Sequence, residues 1–163
     1  MRGWLVPLLL VASPAGAAER PLVLIFTRTD CPIANRYVPE LRRLFSAYSS
    51  KFEFQLVYVE PGITDQQIER HRIEYSLPIP GIRDKDRKYV RMAAATITPE
   101  AAVFLHGRLV YRGRIDDQFV GFGVARQEPF RHELADVLAA LAAGKTPPFS
   151  ATKAVGCAIE ALP

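Results

Sequence analysis

The order of apolar patterns along this chain predicts an α/β fold, a central mixed sheet flanked by helices. Three observations carry that expectation. Residues 21–26 and 52–60 read as covered strands, helical spacing follows each of them, and residues 100–115 read as a hairpin. Strands separated by helices are expected to run parallel, whereas the hairpin adds antiparallel edges. At 163 residues the chain is long enough for one hydrophobic core and too short to favour two.

"PLVLIF", residues 21–26, is continuously apolar, the pattern of a strand buried on both faces. From Cys31 onward the spacing changes. Ile33, Tyr37, Leu41, Leu44, Phe45 and Tyr48 fall at steps of three and four, which predicts a helix from about Pro32 to Tyr48 burying one stripe. Pro32 suits the first turn, where its missing N–H is no loss, and Pro39 should kink the helix.

"FEFQLVYVE", residues 52–60, reads as a second inner strand. "TDQQIERHRIEYS" then predicts a helix capped by Thr64 or Asp65, with Ile68, Ile73 and Tyr75 toward the core and His71 on the exposed face. A turn-rich link from Leu77 leads into a short helix ending near Ala94 or Ala95. "EAAVFLHGRLVYRGRI" reads as two strands joined at His106-Gly107. Asp116 and Asp117 follow directly and suit turn capping, with a loop expected as far as Gln127. "EPFRHELADVLAALAAGK" sets Phe130, Leu134, Val137, Leu138 and Leu141 on one helix face, and Gly144 ends that helix. The tail from Ser150 has little periodicity and carries Cys157.

The first residues, "MRGWLVPLLLVASPAGAAER", combine one Arg, a short apolar run and the small residues Ala15-Gly16-Ala17. This is the pattern of a removable export signal over residues 1–17, followed by a domain over 18–149 and a tail over 150–163. The apolar run is roughly half the ~20 residues that cross a bilayer, so no membrane span is expected after cleavage. An exported chain works in a periplasmic or other extracytoplasmic space, where two cysteines can pair. The net charge of +4 is spread among acids and bases, which gives no support for nucleic acid as a partner.

"FTRTDCPIAN", residues 26–35, places Cys31 where a strand runs into a helix. Unpaired N–H groups and the helix dipole there favour thiolate over thiol. Arg28 acts in the same direction and Asp30 against it. Metal binding would need further soft or imidazole ligands beside the cysteines. His71, His106 and His132 read instead as surface residues, so neither metal nor organic cofactor is expected.

A strand, then Cys31-Pro32, then a helix carrying Pro39 eight residues after the cysteine, then Thr98-Pro99 before another strand, resembles the thioredoxin-like superfamily. The "TDCPIANRY" and "YRGRIDD" segments and the terminal "VGC" look like exported bacterial redoxin or peroxiredoxin-like (AhpC/TSA-like) domain proteins. The resemblance implies a thioredoxin-like sandwich, Cys31 as nucleophile, and Pro99 as a cis-proline after Thr98, facing the sulfur. The chain also departs from the superfamily's patterns. A CxxC motif would put the second cysteine at Ala34, and the CxxxC of copper-delivering relatives would put it at Asn35. Cys157 is the remaining internal candidate for a resolving thiol.

Thiol-disulfide exchange with protein or small thiols is therefore the first expectation. A peroxiredoxin-like thiol peroxidase acting on peroxide is the alternative. That family's pattern would place Thr at Arg28 and Pro at Leu24, with Thr27, Thr29, Arg112 or Arg114 as substitutes. A third reading is a non-catalytic binding module in which a Cys31–Cys157 disulfide is a structural staple. Such a staple is worth about 4 to 5 kcal/mol in the chain-entropy model.

Overall fold

The computed structural model describes residues 19–160. The expected signal segment 1–17 lies outside the described residues. In chain order the elements are β1 (Leu22–Thr27), α1 (Pro32–Arg36), α2 (Val38–Tyr48), β2 (Glu53–Tyr58), α3 (Asp65–Glu74), β3 (Gly81–Arg83) and α4 (Lys88–Ala93). β4 (Ile97–Thr98), β5 (Glu100–Leu105), β6 (Arg108–Gly113), β7 (Phe119–Gly121), β8 (Val124–Ala125), α5 (Glu133–Ala142) and β9 (Cys157–Ala158) complete the chain. No helix among the described residues is long and apolar enough to cross a membrane.

β1 is the middle strand of a five-stranded sheet ordered β3-β2-β1-β5-β6. It runs parallel to β2 and antiparallel to β5, so the sheet is mixed, with its parallel half built by helical crossovers. The continuous apolar run of β1 is explained by cover on both faces. Val23 and Ile25 join the larger core with Leu41, Leu44, Leu134, Val137 and Leu138, while Leu24 and Phe26 pack with Ala93, Ala102 and Phe104 on the other side. Successive side chains of a strand alternate faces, so burying both requires an apolar residue at every position.

Pro39 does more than kink one long helix. It has no N–H to offer Asn35, and the chain divides into α1 and α2 with Tyr37 between them, its N–H bonded to the Ala34 carbonyl. α3 begins at Thr64 with a reciprocal capping box to Gln67. Its core-facing stripe runs through buried Ile68 and His71 to half-buried Tyr75, three and four residues apart. Ile73 lies on the opposite face and is exposed, and His71 is buried, both contrary to the sequence expectation. Phe130 is also exposed. It precedes α5, in a segment pinned by Asp117 accepting the N–H groups of Phe130 and Arg131, and its ring lies under the Arg126 guanidinium. The expected loop after Asp116 contains the small hairpin β7–β8, whose Phe119 packs on Tyr37.

The tail returns to the domain. Ala151 bridges to Arg112, and Thr152 passes so close to Gly113 that a Cβ there would lie 2.1 Å from the Thr152 hydroxyl. Residues 157–158 then form β9 against β4.

Candidate active site

Cys31 is the N-cap residue of α1, with Pro32 at the first helical position and no exposed surface of its own. Its Sγ lies 2.7 Å from Cys157 Sγ, both as free thiols, 126 positions apart in sequence. That separation is well inside the contact distance of two sulfur atoms, and a small closing movement reaches the ~2.05 Å of a disulfide bond. The structure thus brings together the two cysteines that sequence spacing leaves far apart.

Thr98 organises the pair. The Cys31 thiol donates to the Thr98 carbonyl at 3.3 Å, the Thr98 hydroxyl donates to the Cys157 carbonyl at 3.3 Å, and Thr98 is the register partner of Cys157 in the β4–β9 ladder. The Thr98-Pro99 bond is cis. Buried Glu100 fixes β4 from behind: one carboxylate oxygen accepts from the N–H groups of Thr96 (2.8 Å) and Ile97 (3.3 Å), and the other faces Arg112 at 3.5 Å.

Gly156 makes the close approach of the tail possible. A Cβ at this position would sit 2.0 Å from the Thr98 carbonyl oxygen and 2.7 Å from its carbon. Beyond Cys157, the Ile159 N–H bonds the Thr96 carbonyl, Arg87 donates to the Glu160 carbonyl at 3.1 Å, and Arg28 faces the Glu160 carboxylate at 3.9 Å.

The loop before Cys31 is braced on its other side. The Thr29 N–H and hydroxyl both donate to Glu60, and the Asn35 amide donates to the Thr29 carbonyl at 2.9 Å. His71 Nε2 donates to Asn35 Oδ1 at 3.0 Å and its Nδ1 accepts from the Tyr58 hydroxyl at 2.8 Å. Assigned in this way, the chain of bonds from Tyr58 to Thr29 uses each donor and acceptor once. Asn35 therefore occupies the place of a CxxxC cysteine as a structural brace.

The electrostatics act on the Cys157 thiol. Burial, then the hydrogen bond and charge of Cys31, push the Cys157 thiol up to about 11, so near neutral pH this sulfur keeps its proton. Arg28 is bound to Asp30 through two hydrogen bonds at 2.9 and 3.0 Å, which offsets its pull on nearby sulfur. Of the arginines considered for peroxide chemistry, Arg112 faces Glu100 and Arg114 is paired with buried Glu133.

Thr29, Arg28, Pro32, Thr98 and Pro99 thus surround the Cys31 turn or the strand facing it. Sequence reasoning missed Gly156, Glu60, Glu100, His71 and Arg87 as parts of this frame. Two of them carried a signal: a carboxylate opening the apolar run "EAAVFL", and a glycine directly before the tail cysteine.

Comparison with solved structures places this architecture. An uncharacterized conserved protein from Geobacillus kaustophilus superposes with a TM-score of 0.77 at 22% identity, over 90% of this chain and 79% of that one. A hypothetical protein from Sinorhizobium meliloti 1021, SMc02350, gives 0.74 at 20% identity over 85% and 78%. A candidate thiol:disulfide interchange protein DsbE from Chlorobium tepidum gives 0.50 at 12% identity over 57% and 66%. No protein-family model and no curated protein matches the sequence. The mixed sheet, the cysteine at the first helix and the cis-proline strand facing it make the fold thioredoxin-like.

Proposed function

We propose that this protein is an exported thiol-disulfide oxidoreductase in which Cys31 is the nucleophile and Cys157 the resolving thiol. The observation that carries the reading is the contact of the two sulfurs at 2.7 Å, made by a tail strand seated on Thr98. The thioredoxin-like fold and the neighbour named as a candidate interchange protein support the same class. Residues 1–17, with their export-signal pattern, support an extracytoplasmic setting, where disulfides persist.

The mechanism needs neither metal nor organic cofactor. Cys31 thiolate attacks one sulfur of a partner disulfide, forming a mixed disulfide while the partner's second sulfur leaves as thiolate. Cys157 then loses its proton and attacks the Cys31 sulfur, releasing the partner's remaining thiol and leaving a Cys31–Cys157 disulfide. The partner has gained two electrons and the protein has lost two. An external dithiol restores the starting state, and the reverse sequence oxidises a partner dithiol.

Trapping tests the assignment. Cys31→Ser is expected to abolish exchange with a model disulfide, and Cys157→Ser to accumulate a mixed disulfide at Cys31. A Cys157→Ser protein that turns over at the parent rate removes the resolving role. A Cys31–Cys157 bridge that resists reduction below about −300 mV makes it a structural staple, whereas one above roughly −230 mV fits exchange.

A further inference from the structure

Cys31 cannot meet an outside sulfur while the tail is in place, because its side chain is fully buried and Cys157 Sγ covers it. With residues 156–160 lifted, the position Cys157 Sγ now holds is open to an incoming sulfur. A chain that carries its sulfur there as Cys157 does runs where β9 runs, along β4 with its cysteine opposite Thr98.

That path has a steric condition, legible at Gly156. The residue preceding the cysteine passes the Thr98 carbonyl so closely that even one Cβ would lie 2.0 Å from the oxygen, 2.7 Å from the carbon and 3.1 Å from Ile97 Cγ2. The first two are backbone atoms of a strand whose preceding amides are fixed by Glu100, so they have little room to yield.

The tail's own hold on this edge is short. It consists of two register pairs, the Thr98 hydroxyl bond to the Cys157 carbonyl, the Ile159 bond to Thr96, and the contacts of Glu160 with Arg87 and Arg28. The anchors upstream, at Ala151 and Thr152, are separate contacts, made to Arg112 and Arg114.

We propose that the exchange partners of this protein are extended polypeptide segments in which glycine directly precedes the reacting cysteine, entered on the β4 edge in place of β9. Residues 156–160 are then an internal competitor with the same pattern, and the Thr98 carbonyl is the filter that selects it. This deepens the exchange reading and rests on it. In the step itself the Cys31 thiolate bonds the segment's cysteine sulfur, and the sulfur formerly paired with that cysteine departs as thiolate.

The test uses the full chain carrying Cys157→Ser, which leaves the tail but removes its sulfur. Two synthetic peptides, Ala-Val-Gly-Cys-Ala-Ile and Ala-Val-Ala-Cys-Ala-Ile, are each loaded with thionitrobenzoate as leaving group. Release rates are followed by absorbance and divided by each peptide's rate with glutathione.

The glycine peptide is expected to react at least tenfold faster than the alanine peptide. Adding Gly156→Val, which prevents the tail from seating, should raise the glycine peptide's rate several-fold further. Equal normalised rates for the two peptides overturn the filter, whether or not the Gly156→Val protein folds. Reaction of Cys31 with the free aromatic disulfide reagent but with neither peptide also overturns it, leaving the exchange reading intact. Failure with reagent and peptides alike sinks the exchange reading itself.

Discussion

Thr98 touches both cysteines at once: its carbonyl accepts from the Cys31 thiol, and its hydroxyl donates to the carbonyl of Cys157, its partner across the β4–β9 ladder. The seating of the tail and the placement of the buried sulfur therefore share one residue. Altering the Thr98 side chain should change the chance of the two sulfurs meeting while leaving Cys31 on its helix.

Thr98→Val keeps the shape and removes the hydroxyl. Losing one such bond costs about 1 kcal/mol, which is roughly a fivefold change in an equilibrium constant. Lifting of the tail in the dithiol protein should accordingly become several-fold more frequent, read as faster alkylation of buried Cys31. An unchanged rate would mean that β9 is held without the hydroxyl.

The resolving step should be strongly pH-dependent. Cys157 is pushed up to about 11, chiefly by burial, and only its thiolate attacks a mixed disulfide. Attack on the mixed disulfide requires Cys157 to return to its place beside Cys31, where burial opposes its ionisation. Release of a preformed mixed disulfide, followed by stopped flow, should therefore quicken by about tenfold per pH unit between pH 7 and 9. A plateau already at pH 7.5 would place the proton on a different group.

Glu100 is expected to matter more for the site than its distance in sequence from either cysteine suggests. Glu100→Ala leaves the N–H groups of Thr96 and Ile97 without their acceptor and Arg112 without its partner, costing about 2 to 3 kcal/mol. Glu100→Gln retains an acceptor oxygen and should lose about half as much. Chemical denaturation measures the cost, and alkylation of Cys31 should speed up in both variants as β4 loosens.

The apolar patterns made the sheet, its mixed direction and the main helices legible, because a strand covered on both faces must be apolar at every position and a half-buried helix at every third or fourth. The position of Cys31 was legible for a similar reason, because a strand pattern ends and a helical pattern begins around it. One error fell where a polar side chain is buried by partners remote in sequence. His71 looks like a solvated residue in "IERHRIE" because nothing nearby announces Tyr58 and Asn35. The tail was unreadable because β9 has two residues, too few for any period, and its placement depends on contacts with Thr98, Thr96 and Arg87. The required absence of a side chain at Gly156 can be seen only against the backbone it passes.

His71 gives a pH signature that separates the brace from the thiols. Burial pushes its pKa below the ordinary 6.5, with Glu74 opposing, so the folded protein disfavours the imidazolium that the unfolded chain accepts near pH 6.5. The stabilising contribution is therefore complete above that pH and is lost as pH falls toward the lower folded value, with a limiting slope of about 1.4 kcal/mol per pH unit. Asp30 and Asp117 are held below their ordinary 3.8, so the stability they add is lost only in a more acidic range. Denaturant unfolding at closely spaced pH values should reveal a distinct fall just below pH 6.5. His71→Gln, which has no titrating ring, should flatten that fall while leaving the acidic one. If the fall persists in His71→Gln, some other histidine or a thiol is responsible, and the bond chain from Tyr58 through Asn35 to Thr29 does not set the pH response of the Cys31 loop.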